Sequence, residues 1–229
     1  MARWPFLAAA LIVSILFMGS RRKPVSTPPP PVEPDRYISP LYDPAQATTP
    51  LEGRERDRWQ RPAEIVKLLQ LNKGDVVADI GAGTGYLEPY LSPAVGHNGR
   101  VYAEEIQSSF MPALSRHADK YRNIVPIFGT AEDPHLPLGG VDCFVLLTVY
   151  HEVQKPIKFL TGLHKYAKPN ATLVIIDFDY NLKGNPPAPV DHWVSEKDVL
   201  VEAEKAGWQL LKRHDIFTSQ FFLVFDRKR

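Results

Sequence analysis

Residues 76–87 read VVADIGAGTGYL, an apolar run that passes through Asp79 into three glycines at every second position, Gly81, Gly83 and Gly85. Glycine adopts positive φ without penalty and lets a ligand reach the main chain with no Cβ in the way. In open parallel sheets the turn after the first strand is the usual place for such an approach. A dinucleotide fingerprint, G-x-G-x-x-G, needs a third glycine so that helix and strand can pack closely, and here that position is Tyr86. A phosphate loop of the GxxxxGK[ST] kind needs a lysine after the last glycine, and none follows Gly85. Asp79 points the same way, because a carboxylate repels a pyrophosphate but attracts an ammonium group.

About twenty residues beyond the glycines a second apolar run ends in VYAEEI. A carboxylate at that place accepts hydrogen bonds from the two hydroxyls of an adenosine ribose. Glu104 and Glu105 are adjacent on a strand and so face opposite sides. Only one is expected to reach the sugar, and Glu105 is the choice. The next apolar run is followed by TAEDPHLP, where Thr130, Ala131 and Glu132 could contact the base. These features together fit a cofactor built from adenosine and an amino acid, with no phosphate. A fourth run ends in TVYHEV, which brings Tyr150, His151 and Glu152 to the same edge. Histidine ionises near neutrality, so His151 could accept a proton from a hydroxyl while Glu152 orients its ring. Alternatively His151 packs at the strand end and Glu152 faces water or caps the next helix.

The elements that must place these residues are legible as an alternation. Apolar runs lie at 76–80, 100–106, 124–128, 141–149 and 171–178, with helical patterns at 62–71, 108–121 and 156–167. This predicts right-handed βαβ crossovers and an α/β, doubly wound, mostly parallel sheet. After a helix at 196–206, runs at 208–217 and 221–226 are separated by a few residues only. So short a link joins antiparallel neighbours. The expectation is seven strands with the last one reversed.

Acidic and basic residues nearly balance, 26 against 27, so no overall field favours nucleic acid as a partner. Zinc-ligand spacing is absent, and no metal is expected. The single cysteine, Cys143, sits inside VDCFVLL and reads as a buried small hydrophobe. Residues 1–23 combine an apolar stretch from Trp4 to Gly19 with Arg21, Arg22 and Lys23, the pattern of a membrane anchor or signal segment. A large residue, Phe17, stands where a signal peptidase prefers a small one, which favours an uncleaved anchor. The flanking charges lean toward a cytoplasmic domain, with an exported, periplasmic domain as the alternative. Residues 24–50 form a proline-rich linker and residues 51–229 the folded domain.

With those motifs in hand, residues from about Arg54 to Arg229 resemble class I S-adenosylmethionine-dependent methyltransferases. DIGAGTGYL is similar to that family's first motif, VYAEEI to its second, and TAEDPHLP to its adenine-contacting segment. RDRWQRPAEIV and TVYHEV resemble a bacterial subgroup often preceded by an export or anchor segment. The resemblance implies S-adenosyl-L-methionine as cofactor. Gly81, Gly83 and Gly85 would surround its methionine part, Asp79 would act on its amino group, and Glu105 would hold its ribose. Thr148 could face the cofactor or be an ordinary strand threonine. Trp59, Gln60 and Arg61 could close over it, or serve as a helix start. The proline-rich stretch between Asp177 and Trp193 could cover the substrate, with His192 as a second candidate base.

The expected activity is methyl transfer to a small or lipid-like acceptor, the lipid-like option resting on the anchor alone. A nicotinamide-dependent oxidoreductase and a non-catalytic module that binds the same cofactor are the competing readings.

Overall fold

The computed structural model describes residues 53–184 and 193–228. The anchor and linker, 1–23 and 24–50, lie outside the described residues, as does His192. Among the described residues no helix is long and apolar enough to cross a membrane.

Two short helices come first, α1 (Arg54–Gln60) and α2 (Pro62–Leu68), joined at Arg61, whose φ of 54° turns the chain sharply between them. Pro62 suits the first turn of α2 because the amide hydrogen it lacks would have no partner there. The alternating domain follows: β1 (Val76–Ile80), α3 (Glu88–Val95), β2 (Arg100–Glu105), a 3-10 turn at Ser108–Phe110 leading into α4 (Met111–Lys120), and β3 (Ile124–Phe128). After β4 (Val141–Leu147) come a 3-10 turn at Tyr150–Glu152, α5 (Pro156–Leu163), β5 (Ala167–Phe178), α6 (Glu196–Lys205), β6 (Trp208–Arg213) and β7 (Gln220–Arg227).

The seven strands of the described residues form one sheet in the order β3-β2-β1-β4-β5-β7-β6. The pairs through β5 are parallel, while β7 runs antiparallel to both β5 and β6. Chain direction of winding changes between β1 and β4, so the carboxyl ends of those strands flank a crevice. The doubly wound sheet with a reversed last strand is therefore what the molecule has.

Helices cover both faces of the sheet, which is why its strands are apolar on both sides. Alternate residues go to opposite faces. Ala78, Phe144, Leu146, Leu173, Ile175 and Leu223 pack with Phe159, Leu160 and Leu163 of α5 and with Val199 of α6. Val77, Val101, Cys143, Val145, Val174 and Phe222 pack with Ile65 of α2, Leu91 of α3 and Leu114 of α4. Cys143 is buried as expected.

Several boundaries differ from the pattern-based reading. The first helix of the alternating domain stops at Leu68, and Gln70 takes a φ of 55° on the way to β1. The fourth run ends at Leu147, because Thr148, whose amide still donates to the Ile176 carbonyl of β5 at 2.7 Å, enters the left-handed region with φ 55°. The sixth strand ends at Arg213 rather than residue 217, whereas the fifth starts earlier, at Ala167.

Trp208 anchors the reversed edge. It is fully buried, stacks on His164 at 4.5 Å, meets Phe144 edge-on at 6.2 Å and donates its indole N–H to the Leu160 carbonyl at 2.9 Å. Trp208→Ala should lower the unfolding free energy by about 3–5 kcal/mol in urea titrations. Leu211→Ala, three residues on and 59% exposed, should change it by less than about 0.5 kcal/mol.

Candidate active site

The glycine loop is held from below by the two glutamates that end β2. Glu105 Oε2 accepts from the Gly83 amide at 2.9 Å, and its Oε1 accepts from the Ile106 and Gln107 amides, both at 2.8 Å. Glu104 Oε2 accepts from the Gly81 amide at 3.3 Å. All three loop glycines have positive φ. A Cβ on Gly81 would lie 2.5 Å from Val149 Cγ2, and one on Gly85 2.5 Å from His117 Cδ2. The loop's glycines therefore serve close approach to neighbours as well as to the crevice. Gly129 does the same for Glu104, whose Oε1 occupies the space a Cβ would need.

Above the loop lies a cavity of about 370 Å³, within the size range of small-molecule sites. Its lining includes Asp79, Gly81, Gly83, Glu105, Thr130, Ala131 and Thr148, seven of the positions expected to meet a cofactor. Two others are placed elsewhere. Gly85 sits behind the loop against His117 and Glu88. Glu132 points to solvent, where Lys155 and Lys158 pair with it at 3.2 and 2.7 Å. Both glutamates of β2 line the cavity. Their carboxyls converge because β2 ends there and the chain turns over the sheet edge.

Charge in the cavity is one-sided. Asp79, Glu104, Glu105 and Glu152 line it, with Arg56 as the one basic side chain of the lining. Burial pushes Glu104 up to about 8, with the Gly81 amide opposing the shift and neighbouring Glu105 adding to it. Glu105 is also raised by burial, against its three amide donors. Asp79 is raised by burial and lies against buried Glu88, itself raised by burial and by the Asp79 charge. Two adjacent buried carboxyls hold a proton between them rather than ionise together.

Helix α1 supplies the counter-charge. Arg56 is buried and its guanidinium lies over the Tyr86 ring, 3.9 Å from the centroid, while Tyr86 Oη donates to Asp57 at 2.8 Å. Burial and that hydrogen bond hold the Tyr86 hydroxyl well above its usual range. Tyr86, notable in the sequence only for not being glycine, is thus the platform on which Arg56 rests. The residues named for a cover, Trp59, Gln60 and Arg61, instead fasten α1 and α2 to the sheet. Gln60 donates to Gln220 at 2.8 Å in the interior, Arg61 donates to the Ile216 carbonyl at 2.7 Å, and Trp59 lies 6.0 Å from the Phe178 ring. Arg56 was missed because alternating charges usually mark a solvated face. The signal that could have found it is its place one helix before the glycine loop.

At the end of β4 the structure corrects the histidine. His151 does not line the cavity; Glu152 does. The His151 ring is buried and bound to Asp177, Nδ1 lying 2.9 and 3.1 Å from the two carboxylate oxygens. Asp177 also accepts the His151 amide at 3.0 Å and the Phe178 amide at 2.8 Å. Burial lowers the imidazole's basicity, but the Asp177 and Glu152 carboxylates outweigh it and hold the ring up to about 9. The Asp177 contact favours the doubly protonated ring, and the ring lies outside the cavity in which the base first assigned to it would act. Among the described residues no group of three or more His, Cys, Asp or Glu side chains could hold a metal ion.

A glycine loop at the switch point, a carboxylate at the end of β2 and an acidic cavity define a nucleoside-binding α/β domain of Rossmann-like build. A family model described as Fibrillarin matches residues 63–176. The Ubiquinone/menaquinone biosynthesis C-methyltransferase UbiE of Coxiella burnetii is 29% identical over 124 residues, 53% of this chain and 49% of that protein. The chain spans about half the length of such curated relatives. A SAM dependent methyltransferase from Aquifex aeolicus superposes with TM-score 0.75 at 28% identity, over 82% of this chain and all of the other. Fibrillarin of Aeropyrum pernix, solved with natively bound S-adenosyl-L-methionine, shares the fold at TM-score 0.55 and 18% identity, over 72% and 73% of the two chains. The chain belongs to the class I S-adenosylmethionine-dependent methyltransferases.

The charged groups make a pH dependence. In the folded state Glu104 titrates near 8 instead of 4.5 and His151 near 9 instead of 6.5. Between the unfolded and folded values the folded state binds more protons, so stability falls as pH rises. The ligand-free protein should therefore lose thermal stability steadily from pH 6 to 9. A bound cation favours the ionised carboxyls and should flatten the Glu104 part of that slope, measurable as Tm against pH with and without S-adenosylmethionine.

Proposed function

We propose that this protein transfers the methyl group of S-adenosyl-L-methionine to a small acceptor bound at the carboxyl edge of the sheet. The observation that carries the proposal is the cavity's charge: four carboxyls and one guanidinium around a glycine loop. S-adenosylmethionine brings a sulfonium, an ammonium and one carboxylate, a set of charges complementary to that lining. A pyrophosphate would meet Asp79, Glu104 and Glu105 at close range, which disfavours a nicotinamide dinucleotide.

The side chains divide the work by chemistry. A carboxylate offers roughly four acceptor positions, and amides take three of those on Glu105, which leaves capacity for a ribose hydroxyl. The amides thereby fix the carboxylate's direction before any ligand arrives. Asp79 and the proton it shares with Glu88 offer a partner to an ammonium group. Arg56, held over Tyr86, is the natural partner of a carboxylate. Thr130 and Ala131 stand beyond β3 where a base would lie. The cofactor supplies an activated methyl group on a sulfonium. The protein's part is to hold it in line with the acceptor and to shield the site from water.

The acceptor reading follows from the apolar part of the lining, Ile106, Phe110, Leu147, Val149, Val153 and Phe159. These side chains suit a small organic molecule, and the naming of the Coxiella burnetii relative for a quinone pathway agrees. A lipid-like acceptor is favoured by the apolar segment Trp4 to Gly19, which would tether the domain at a bilayer. Tethering raises the local concentration of lipophilic acceptors. The cytoplasmic face is favoured because the cofactor is made there.

Calorimetry should show S-adenosylhomocysteine binding that weakens roughly tenfold or more in Glu105→Gln. Arg56→Ala should weaken S-adenosylhomocysteine to a similar degree yet leave adenosine, which has no carboxylate, unchanged. Binding of NADH in place of S-adenosylhomocysteine would reverse the assignment. Removing residues 1–50 should slow methylation of acceptors presented in vesicles and spare water-soluble ones; equal rates on both would refute the tether.

A further inference from the structure

His151, Asp177 and Glu152 form a chain that runs from the interior to the cavity. Asp177 is fully buried and His151 is 5% exposed. The ring's Nδ1 faces Asp177 and its Nε2 faces the other way, 3.7 Å from Glu152 Oε1. Of the three, Glu152 alone lines the cavity, among Val149, Val153, Gln154 and Phe159.

From this arrangement we infer that Glu152 is the carboxylate that contacts the methyl acceptor, that His151 and Asp177 position it, and that the acceptor presents a hydroxyl or amine on an apolar body. The inference rests on the methyltransferase reading and adds the acceptor class to it. A proton acceptor needs a free lone pair, and an imidazolium enclosed by two carboxylates has none to offer. Glu152 is a carboxylate with several acceptor positions, and it stands at the wall where the apolar lining would bury the rest of a small molecule. Behind it stands the His151 ring, with Nε2 3.7 Å from Glu152 Oε1. Asp177 compensates the buried cation; without it burial would strip the ring's second proton.

The balance of the step is simple. The acceptor's oxygen or nitrogen forms a bond to the methyl carbon as the carbon–sulfur bond breaks and its electron pair returns to sulfur. The acceptor's proton passes to Glu152, which releases it to water. The products are the methylated acceptor and S-adenosylhomocysteine. Deprotonating an aromatic hydroxyl also activates its neighbouring ring carbon; there the new carbon–methyl bond is followed by loss of that ring carbon's proton to water as the hydroxyl re-forms.

Binding can be tested on full-length protein saturated with S-adenosylhomocysteine. The probes are 4-nitrophenol and benzylamine, which carry the two proton-donating groups, with nitrobenzene as a control that carries neither. We expect at least one donor to bind, and to bind about tenfold more weakly or worse to Glu152→Gln, while nitrobenzene does not distinguish the two proteins. Ring nitrogen spectra give the second readout: His151 doubly protonated at neutral pH in the parent protein and titrating at lower pH in Glu152→Gln. If neither donor binds, or the variant binds them equally well, the acceptor class is wrong. A neutral His151 ring at neutral pH would overturn the positioning role. Failure of S-adenosylhomocysteine itself to bind would remove the methyltransferase reading along with this one, so the two failures are distinguishable.

Discussion

The site depends on the grip of two carboxylates on one glycine loop. Glu104 and Glu105 close β2, and each accepts a loop amide, from Gly81 and Gly83 respectively. A loop of this composition has many conformations open to it, and ordering it costs entropy at every glycine. The hydrogen bonds from those amides offset part of that cost. The arrangement also explains why acids are tolerated in so enclosed a place. Their oxygens meet amide hydrogens, and a cationic ligand would draw them toward the ionised form that burial opposes.

From that grip the rest of the site follows outward. With the loop fixed, Tyr86 projects from its end and receives Arg56 from α1, so a helix that precedes the sheet becomes part of the cavity wall. At Thr148 a left-handed turn ends β4 and brings Val149 against Gly81. The same turn carries the chain to Glu152. One guanidinium and four carboxyls thereby line the same small volume. Such an asymmetry distinguishes a zwitterionic, cationic ligand from a phosphorylated one before any shape is considered.

Sequence reasoning read the fold well because period and punctuation are local. Apolar runs of strand length, alternating with helical patterns, leave little choice but a parallel sheet, and the short link before residue 221 required a reversed strand. The glycine loop, Asp79 and Glu105 were legible for the same reason, since each is defined by its distance along the chain from a strand end. What was not legible is long-range. Arg56 meets Tyr86 across thirty residues of chain, and His151 meets Asp177 only because β4 and β5 are neighbours. The acidity of a histidine depends on what surrounds it, and no local pattern around TVYHEV reveals a buried aspartate on the next strand. Glu132 failed for a related cause: the chain beyond β3 turns at Asp133, and two lysines on and before α5 draw the glutamate outward.

The reversed strand has a bearing on how the molecule comes into being. β7 is the last strand along the chain but an interior one in space, filling the slot between β5 and β6. Phe221, Phe222, Leu223 and Phe225 on it contribute to the cores on both faces. Until those residues leave the ribosome, β5 has an open edge, and Asp177 on that strand lacks its partner Phe221. The half of the domain that holds His151 is therefore completed only once β7 has been made. The glycine loop and its glutamates, built from the first strands, can form while synthesis is still under way.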